Sequence, residues 1–349
     1  MRGEYFMKNK TITIKDVAKL ANVSPSTVSR VINGKDVISE DTRKIIMSAM
    51  QELNYFPNSQ ARNLAHGNSY AIGLVIDASD NNTFSNTFFN RSVFGIETVA
   101  QKYGFNVLIT NDLPGENNIS SVEKLVLERK VDGLILPPST VKKKLISKLL
   151  ELDFPFVVLG EPSIFKMESS WVDVNNIQGG ELAVSHLIRA GYKRIAFLSG
   201  NPNTTFSKNR KAGYLKGLEN AGIAIDESLI VVCDPDSTGS QKVAAEILQR
   251  NYAPDAFVCS DNIISFGVLS AAAELGIAVP QQLGVVTFDN YPIAEYTSPP
   301  LTAVDVDTFS LGEQAASILL KKVQRDKDLN QQILISTKLI ERTSTSRKE

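Results

Sequence analysis

Several things are scarce in this 349-residue sequence, and each scarcity removes a class of function. There are two cysteines, Cys233 and Cys259, widely spaced and each inside an apolar run. Without a CxxC pair they make no metal or redox motif, and they read as buried free thiols in a reducing compartment. There are two histidines, His66 on a linker and His186 on a helix, so no metal-ligand cluster and no Ser-His-Asp order is visible. Neither a P-loop nor a GxGxxG run is present. Catalysis, a metal and a cofactor are therefore not expected. No apolar run is long enough to span a bilayer. The opening stretch Met1 to Met7 lacks the apolar core and small-residue cleavage site of a signal peptide, so a cytoplasmic protein away from membranes is expected. Net charge is scarce too, at −1, but unevenly placed: residues 1 to 66 hold ten Lys or Arg against six Asp or Glu, and the remainder is acidic. A basic head on an acidic body suits a module that meets a polyanion.

What is plentiful is pattern. Hydrophobic residues make up 43% of the chain, a globular value, and the length suits two or three units. Lys15 to Ala21 places Val17, Leu20 and Ala21 on one helical face. Asn22-Val23 interrupts it. Ser24 then stands as an N-cap, with Pro25 at the first helical position, where a missing N–H is harmless. The second helix turns Val28, Val31 and Ile32 inward and leaves Ser26, Thr27, Ser29, Arg30 and Asn33 outside, with Gly34 as C-cap. This is the pattern of a helix-turn-helix, whose second helix enters the DNA major groove N-terminus first. For these two helices alone, an ordinary hairpin with a polar face is the alternative. Ser39 to Thr42 opens a third helix through Ile45, Ile46, Ala49, Met50 and Leu53. Val17, Leu20, Val28, Val31, Ile46 and Leu53 would make its small core. From Tyr55 a polar segment runs through Asn58, Ala61 and Arg62 to Leu64, too short to be a stable isolated helix and with no core for Leu64 to join.

Beyond the linker His66 to Ser69, short apolar runs at 71–76, 106–110, 133–136 and 156–159 alternate with helical patterns at 93–102, 119–130 and 141–151. The rhythm restarts with helices at 176–190, 209–221, 239–250 and 263–275 and strands around 195–199, 229–232, 256–259 and 284–288. Such alternation gives parallel sheets with helical crossovers. Two open α/β lobes would face each other across a cleft at the carboxyl ends of their strands. Arg210, Asp261 and Asp289 each follow a strand. The Arg fork suits hydroxyls or a carboxylate, and a cation at a helix start is otherwise disfavoured. Asp289 can accept hydroxyl protons, or merely turn the chain in Asp-Asn-Tyr-Pro. Asp261 can do the same, or cap the helix near Ile263. Two carboxylates and one Arg suggest a neutral polyol.

The stretches Ile14 to Ala18, Val23-Ser24, Thr27 to Asn33, Asn54-Tyr55, Pro57-Asn58 and Ala61 to Leu64 together resemble the lactose/galactose-repressor family of bacterial transcription regulators. The resemblance continues through Val131 to Gly133, Gly191 to Ile195, Arg210 to Tyr214 and Phe288 to Asn290. It implies an α/β protein: a three-helix DNA-binding head over 1–56, a hinge helix and linker over 57–68, and a two-lobed periplasmic-binding-protein-like domain over 69–349 that binds ligand and dimerises. Lobe 1 would take about 69–171 plus 292–330 and lobe 2 about 172–291 plus 331–349, with crossovers near 172, 291 and 330. By the resemblance, DNA contacts fall to Ser24, Pro25, Ser26, Thr27, Ser29, Arg30, Asn33, Tyr55, Asn58, Ala61, Arg62 and Leu64. Leu64 would wedge into a central base step of the minor groove. Ligand contacts fall to Phe88, Phe89, Trp171, Arg210, Asp261 and Asp289, although Trp171 could equally be a core or hinge residue; Phe84 and Tyr291 are weaker candidates. Thr87 and Gly160 depart from the family pattern, at positions where relatives carry a proline and a ligand-binding aspartate. The Gly, with the Phe pair and Trp171, resembles the maltose-operon repressor branch. The implied function is a homodimeric repressor of a palindromic operator, released by maltose or a related glucose disaccharide. A corepressor- or phosphoprotein-dependent regulator of the same fold, or a sugar-binding protein without DNA switching, stays open. No leucine heptad follows Ser344, so a dimer and not a tetramer is expected.

Overall fold

The computed structural model describes residues 12–32, 38–56, 68–77, 87–115, 119–324 and 330–347, with the backbone alone at Thr87 and Phe88. The expectations for Asn33, Gly34, Asn58, Ala61, Arg62, Leu64, Phe84 and the Phe88 side chain fall outside the described residues. The chain divides into two compact units, Met1–Ser69 and Tyr70–Glu349.

In the first unit, α1 (Ile14–Leu20) begins where Asp16 accepts hydrogen bonds from the N–H and hydroxyl of Thr13, at 2.8 and 2.6 Å. A carboxylate there meets the positive end of the helix. Asn22, left-handed at φ 52°, turns the chain into α2 (Pro25–Ile32), a conformation asparagine tolerates. α3 (Glu40–Glu52) is capped by Ser39, whose side chain accepts from Thr42 N. The core is Val17, Ala18, Ala21, Val28, Val31, Ile46 and Ala49. Leu20, expected inside, stands 44% exposed. A seven-residue helix is too short to separate an i, i+1, i+4 stripe from an i, i+3, i+4 stripe by spacing, and the first is the one used.

The second unit holds two six-stranded sheets. The first contains β1 (Ala71–Ile76), β2 (Asn106–Asn111), β3 (Gly133–Leu136), β4 (Phe156–Leu159), β5 (Ser170–Val174) and β11 (Gln332–Ile335), all parallel, in the order β11-β5-β4-β3-β1-β2. The second contains β6 (Ile195–Ser199), β7 (Ile230–Val232), β8 (Ala256–Cys259), β9 (Gly284–Phe288), β10 (Thr302–Asp305) and β12 (Lys338–Ile340), in the order β12-β10-β9-β8-β6-β7, with only β12 antiparallel. Helices α4 (Thr87–Lys102), α5 (Ser121–Leu127), α6 (Lys143–Glu151) and α11 (Thr308–Gln324) cover the first sheet. Helices α7 (Asn176–Arg189), α8 (Thr205–Asn220), α9 (Ser237–Leu248) and α10 (Asn262–Glu274) cover the second. The inner strands of each sheet are buried on both faces, which is why they read as continuous apolar runs, whereas the edge strands β2, β7, β11 and β12 are partly exposed. Cys233 and Cys259 are buried free thiols, and burial pushes Cys233 up to about 12.

The chain passes between the sheets three times: after β5, after β10, and between β11 and β12. The second passage therefore lies near Val306, well past the expected residue 291. Beyond Tyr291 the chain makes a short turn at Pro292–Glu295 and then adds β10 beside β9 before leaving. Thr302–Asp305, with a Thr and an Asp at its ends, is not the continuous apolar run that marked the other strands. The third passage falls at Ser336-Thr337 and not near 330, because β11 still belongs to the first sheet.

His186 locks the end of the chain to the second sheet. Its ring is 7% exposed, its Nε2 lies 2.7 Å from Thr345 Oγ1, and that hydroxyl lies 2.7 Å from Thr302 Oγ1 on β10. Burial holds His186 below its ordinary pKa; Glu341, 3.4 Å from Nδ1, pulls upward and Arg189 adds to the lowering. The unfolded chain thus takes up this proton at a higher pH than the fold does, so stability falls as pH drops through about 6.5 towards the folded pKa. In urea denaturation the parent is expected to lose stability relative to His186→Gln between about pH 7 and about pH 5. A difference that stays constant over that range would contradict the burial argument.

Candidate effector cleft and recognition helix

α8 starts at Thr205, with the Thr204 hydroxyl accepting from Ser207 N at 3.3 Å. The helix is thus longer than expected, and Arg210 lies in its second turn, not at its start. Gly180 on α7 and Gly213 on α8 let the two backbones touch. A Cβ on Gly213 would run into the Ile177 carbonyl, and one on Gly180 would meet the Arg210 carbonyl. This contact seats Arg210 beside Asn176.

Arg210 is 4% exposed. Its Nε donates to Asn176 Oδ1 at 2.8 Å, Nη1 to the Ser260 carbonyl and to Asp289 Oδ2 at 3.4 Å, and Nη2 to Asp289 Oδ1 at 3.0 Å. These bonds use four of the five guanidinium N–H groups and leave one on Nη2. The plane lies over Phe288 at 4.2 Å and near Phe206 at 5.3 Å. Phe288 is fully buried, whereas Phe206 is 43% exposed.

Asp289 follows β9 with φ 67°, left-handed for a residue that has a Cβ. Such a conformation costs about 1–3 kcal/mol and persists only where its surroundings impose it. Here Asp289 N donates to Val304 O at 3.0 Å, and the Asp289 carbonyl accepts from Asn262 Nδ2. Asn262 Nδ2 also reaches the Phe288 carbonyl at 3.0 Å, while its Oδ1 is buried without a partner. Asp261 caps α10 through Ile264 N at 3.0 Å, so its capping role is real. Burial raises its pKa first, the nearby Asp289 charge adds to the rise, and Ile264 N and Arg210 oppose it.

Asp173 near the carboxyl end of β5 was not foreseen. It is 6% exposed and accepts from Glu161 N at 3.0 Å and Val174 N at 2.7 Å. Burial raises its pKa against those two bonds and the Arg210 charge. The structure thus brings together Arg210, Asp289 and Asp261, and adds Asn176, Asp173 and Phe206. It does not bring Trp171 there. That ring is 3% exposed in the core of the first lobe, registered against Val158, with its Nε1 donating to Lys166 O at 3.1 Å. Phe89, half-buried, packs on the other core of that lobe. Tyr291 precedes the turn at Pro292–Glu295. Gly160 opens no space: at φ 119°, a side chain there would meet Pro138 Cγ at 2.7 Å.

On the head, Ser24, Pro25, Ser26 and Arg30 are exposed, and Thr27 and Ser29 are half-buried. Ser24 Oγ caps α2 through Thr27 N at 3.2 Å and lies 2.7 Å from Ser26 Oγ and 2.8 Å from Thr27 Oγ1. Tyr55 packs half-buried against the core of the head. Among the described residues, no His, Cys, Asp or Glu group is placed to hold a metal, and no helix is long and apolar enough to cross a membrane.

A helix-turn-helix head followed by a two-lobed body with a buried polar cluster defines a DNA-binding regulator with a ligand-binding domain. The family described as bacterial regulatory proteins, lacI family, matches residues 13–58, and a periplasmic binding protein-like domain matches residues 184–345. The chain is 32% identical over 337 residues to the HTH-type transcriptional repressor PurR of Vibrio atlanticus (strain LGP32), covering 95% of this chain and 98% of that protein. A solved complex of the transcriptional regulator CelR with cellobiose superposes with TM-score 0.72 at 28% identity, covering 95% of this chain and 99% of that one. The lac repressor dimer bound to operator and the anti-inducer ONPF superposes with TM-score 0.78 at 25% identity, covering 96% and 99%. The chain belongs to the lacI family of bacterial regulatory proteins. It is a transcriptional repressor with a ligand-binding domain, not an enzyme.

Removing Arg210 would leave Asp289 buried without its counter-charge, and breaking a buried pair costs about 3–5 kcal/mol. Arg210→Met is expected to lose roughly that much in urea unfolding, and adding Asp289→Asn should recover part of it. A loss within about 0.5 kcal/mol, the range of surface substitutions, would contradict the pairing.

Proposed function

We propose that this repressor acts in the cytoplasm as a homodimer on a palindromic operator and is released when a small neutral sugar enters the cleft around Arg210. The observation that carries this is the buried Arg210–Asp289 pair with Asp261 beside it, just past the ends of β8 and β9. Carboxylate oxygens there accept hydroxyl protons, and the spare N–H of Arg210 donates to a hydroxyl oxygen. Several carboxylates around one guanidinium favour a neutral ligand over an anion. Phe206 offers an exposed ring for an apolar sugar face. A structural relative is a cellobiose complex, which supports a glucose disaccharide; maltose is the candidate we favour.

On DNA, Ser26, Thr27, Ser29 and Arg30 face the major groove, together with Ser24, Pro25, Asn33 and Tyr55. Asn58, Ala61, Arg62 and Leu64 serve the minor groove, where Leu64 is the wedge. Serine and proline make weak base contacts, so Arg30, the hinge and DNA shape carry the reading. Sugar closes the lobes and unfolds the hinge helices, and by linkage sugar and operator weaken each other by the same factor.

The test is a titration with maltose, cellobiose, trehalose, sucrose and glucose, following release of a fluorescent palindromic duplex with a central CG step. One disaccharide is expected to bind and release the duplex; binding with unchanged or higher DNA affinity would overturn the induced switch. Leu64→Ala is expected to weaken duplex binding roughly tenfold or more and to leave sugar affinity unchanged. Unchanged duplex affinity would remove the wedge.

A further inference from the structure

Glu161 follows β4 in the first lobe, and Asn209 lies on α8 in the second. Asn209 Nδ2 donates to Glu161 Oε2 at 2.8 Å, a direct side-chain bond between the lobes. The Glu161 side chain is 13% exposed, and its other oxygen pairs with Lys166 Nζ. Its own N–H donates to Asp173 Oδ2 at 3.0 Å. The first lobe therefore holds the Glu161 backbone through Asp173 and its carboxylate through Lys166, and presents the second carboxylate oxygen to the other lobe. Gly160, just before Glu161, lies against Pro138, which a side chain at that position would meet. Asn209 in turn is held by the helix that carries Arg210, one residue away.

We propose that the Glu161–Asn209 hydrogen bond is a latch between the lobes that biases the cleft beside Arg210 towards closure, leaves the sugar to complete it, and so sets how much effector is needed. Three crossovers leave the lobes free to pivot, so their relative position depends on such contacts. A half-buried, charge-assisted bond is stronger than a neutral one. If the closed form is the one that binds effector, apparent affinity scales with the fraction closed. The latch itself is a property of the two lobes; its effect on sugar sensitivity rests on the function proposed above.

The test measures the lobes directly, with neither DNA nor sugar. Spin labels are placed on the full chain at Leu113→Cys and Asp234→Cys, beyond the ends of the edge strands β2 and β7. The native Cys233 and Cys259 are 7% and 0% exposed and do not compete for label. Pulsed electron spin resonance is expected to show longer distances in Glu161→Ala and in Asn209→Ala, with the double variant no more open than either. Glu161→Gln, whose amide oxygen still accepts from Asn209 but through a weaker neutral bond, opens less than Glu161→Ala. Asn209→Asp keeps the volume but repels Glu161, and it opens the lobes. Unchanged distances in both alanine variants, or additive opening in the double, would overturn the latch. In the sugar titration the alanine variants need about three- to tenfold more sugar for half-release. A parent that binds no operator would sink the functional reading and leave the distance test standing.

Discussion

A guanidinium with 5% of its side chain exposed cannot be tolerated unless nearly all its N–H groups are satisfied and its charge is balanced. Arg210 meets that condition by drawing on three parts of the second lobe. α7 supplies Asn176, the turn after β8 supplies the Ser260 carbonyl, and β9 supplies Phe288 and Asp289. α8 can bring Arg210 to them only because Gly180 and Gly213 let two helices touch through their backbones. Asp289 takes a strained left-handed backbone to face the guanidinium, and Asn262 and Val304 hold it there. Strain, close helix packing and a buried ion pair thus converge on one place, past the carboxyl ends of the strands where open sheets receive ligands.

The polar cluster is also unbalanced in charge. Asp289, Asp261 and Asp173 all feel or contact the single guanidinium, and burial drives the latter two carboxyls upward in pKa. Such groups gain from a ligand that brings hydroxyl protons in place of water. The free energy a ligand can put into opening or closing the lobes is no more than its differential affinity for the two arrangements. The switch is therefore bounded by how differently these few groups meet the sugar in each state, and by contacts between the lobes themselves.

Much of this was legible from residues alone. The two-helix turn around Asn22, the cap at Ser24 and the strand–helix alternation come from short-range chemistry that sequence records directly. Arg210, Asp261 and Asp289 were picked out chiefly by the family resemblance, with their places after apolar runs in support. What failed was of a different kind. β5 and β10 are short strands behind loops, so Asp173 went unseen and the second crossover was placed near residue 291 instead of 306. Trp171 stood open between the cleft and the core, and its ring completes the core. Gly160 departs from the family pattern, and only the position of Pro138, brought in from the loop after β3, shows that a side chain there would find no room. Phe206 was missed because α8 begins earlier than its apolar spacing implies. For Trp171 and Gly160 a distant segment decided the outcome.

The most direct measurement is a crystal structure of the full chain with the sugar that releases operator. The sugar is expected with hydroxyls within hydrogen-bonding distance of Arg210 Nη2, Asp289 and Asp261, and with one face against Phe206. A sugar bound elsewhere, with the Arg210–Asp289 pair untouched, would contradict the assignment of this cluster as the effector site.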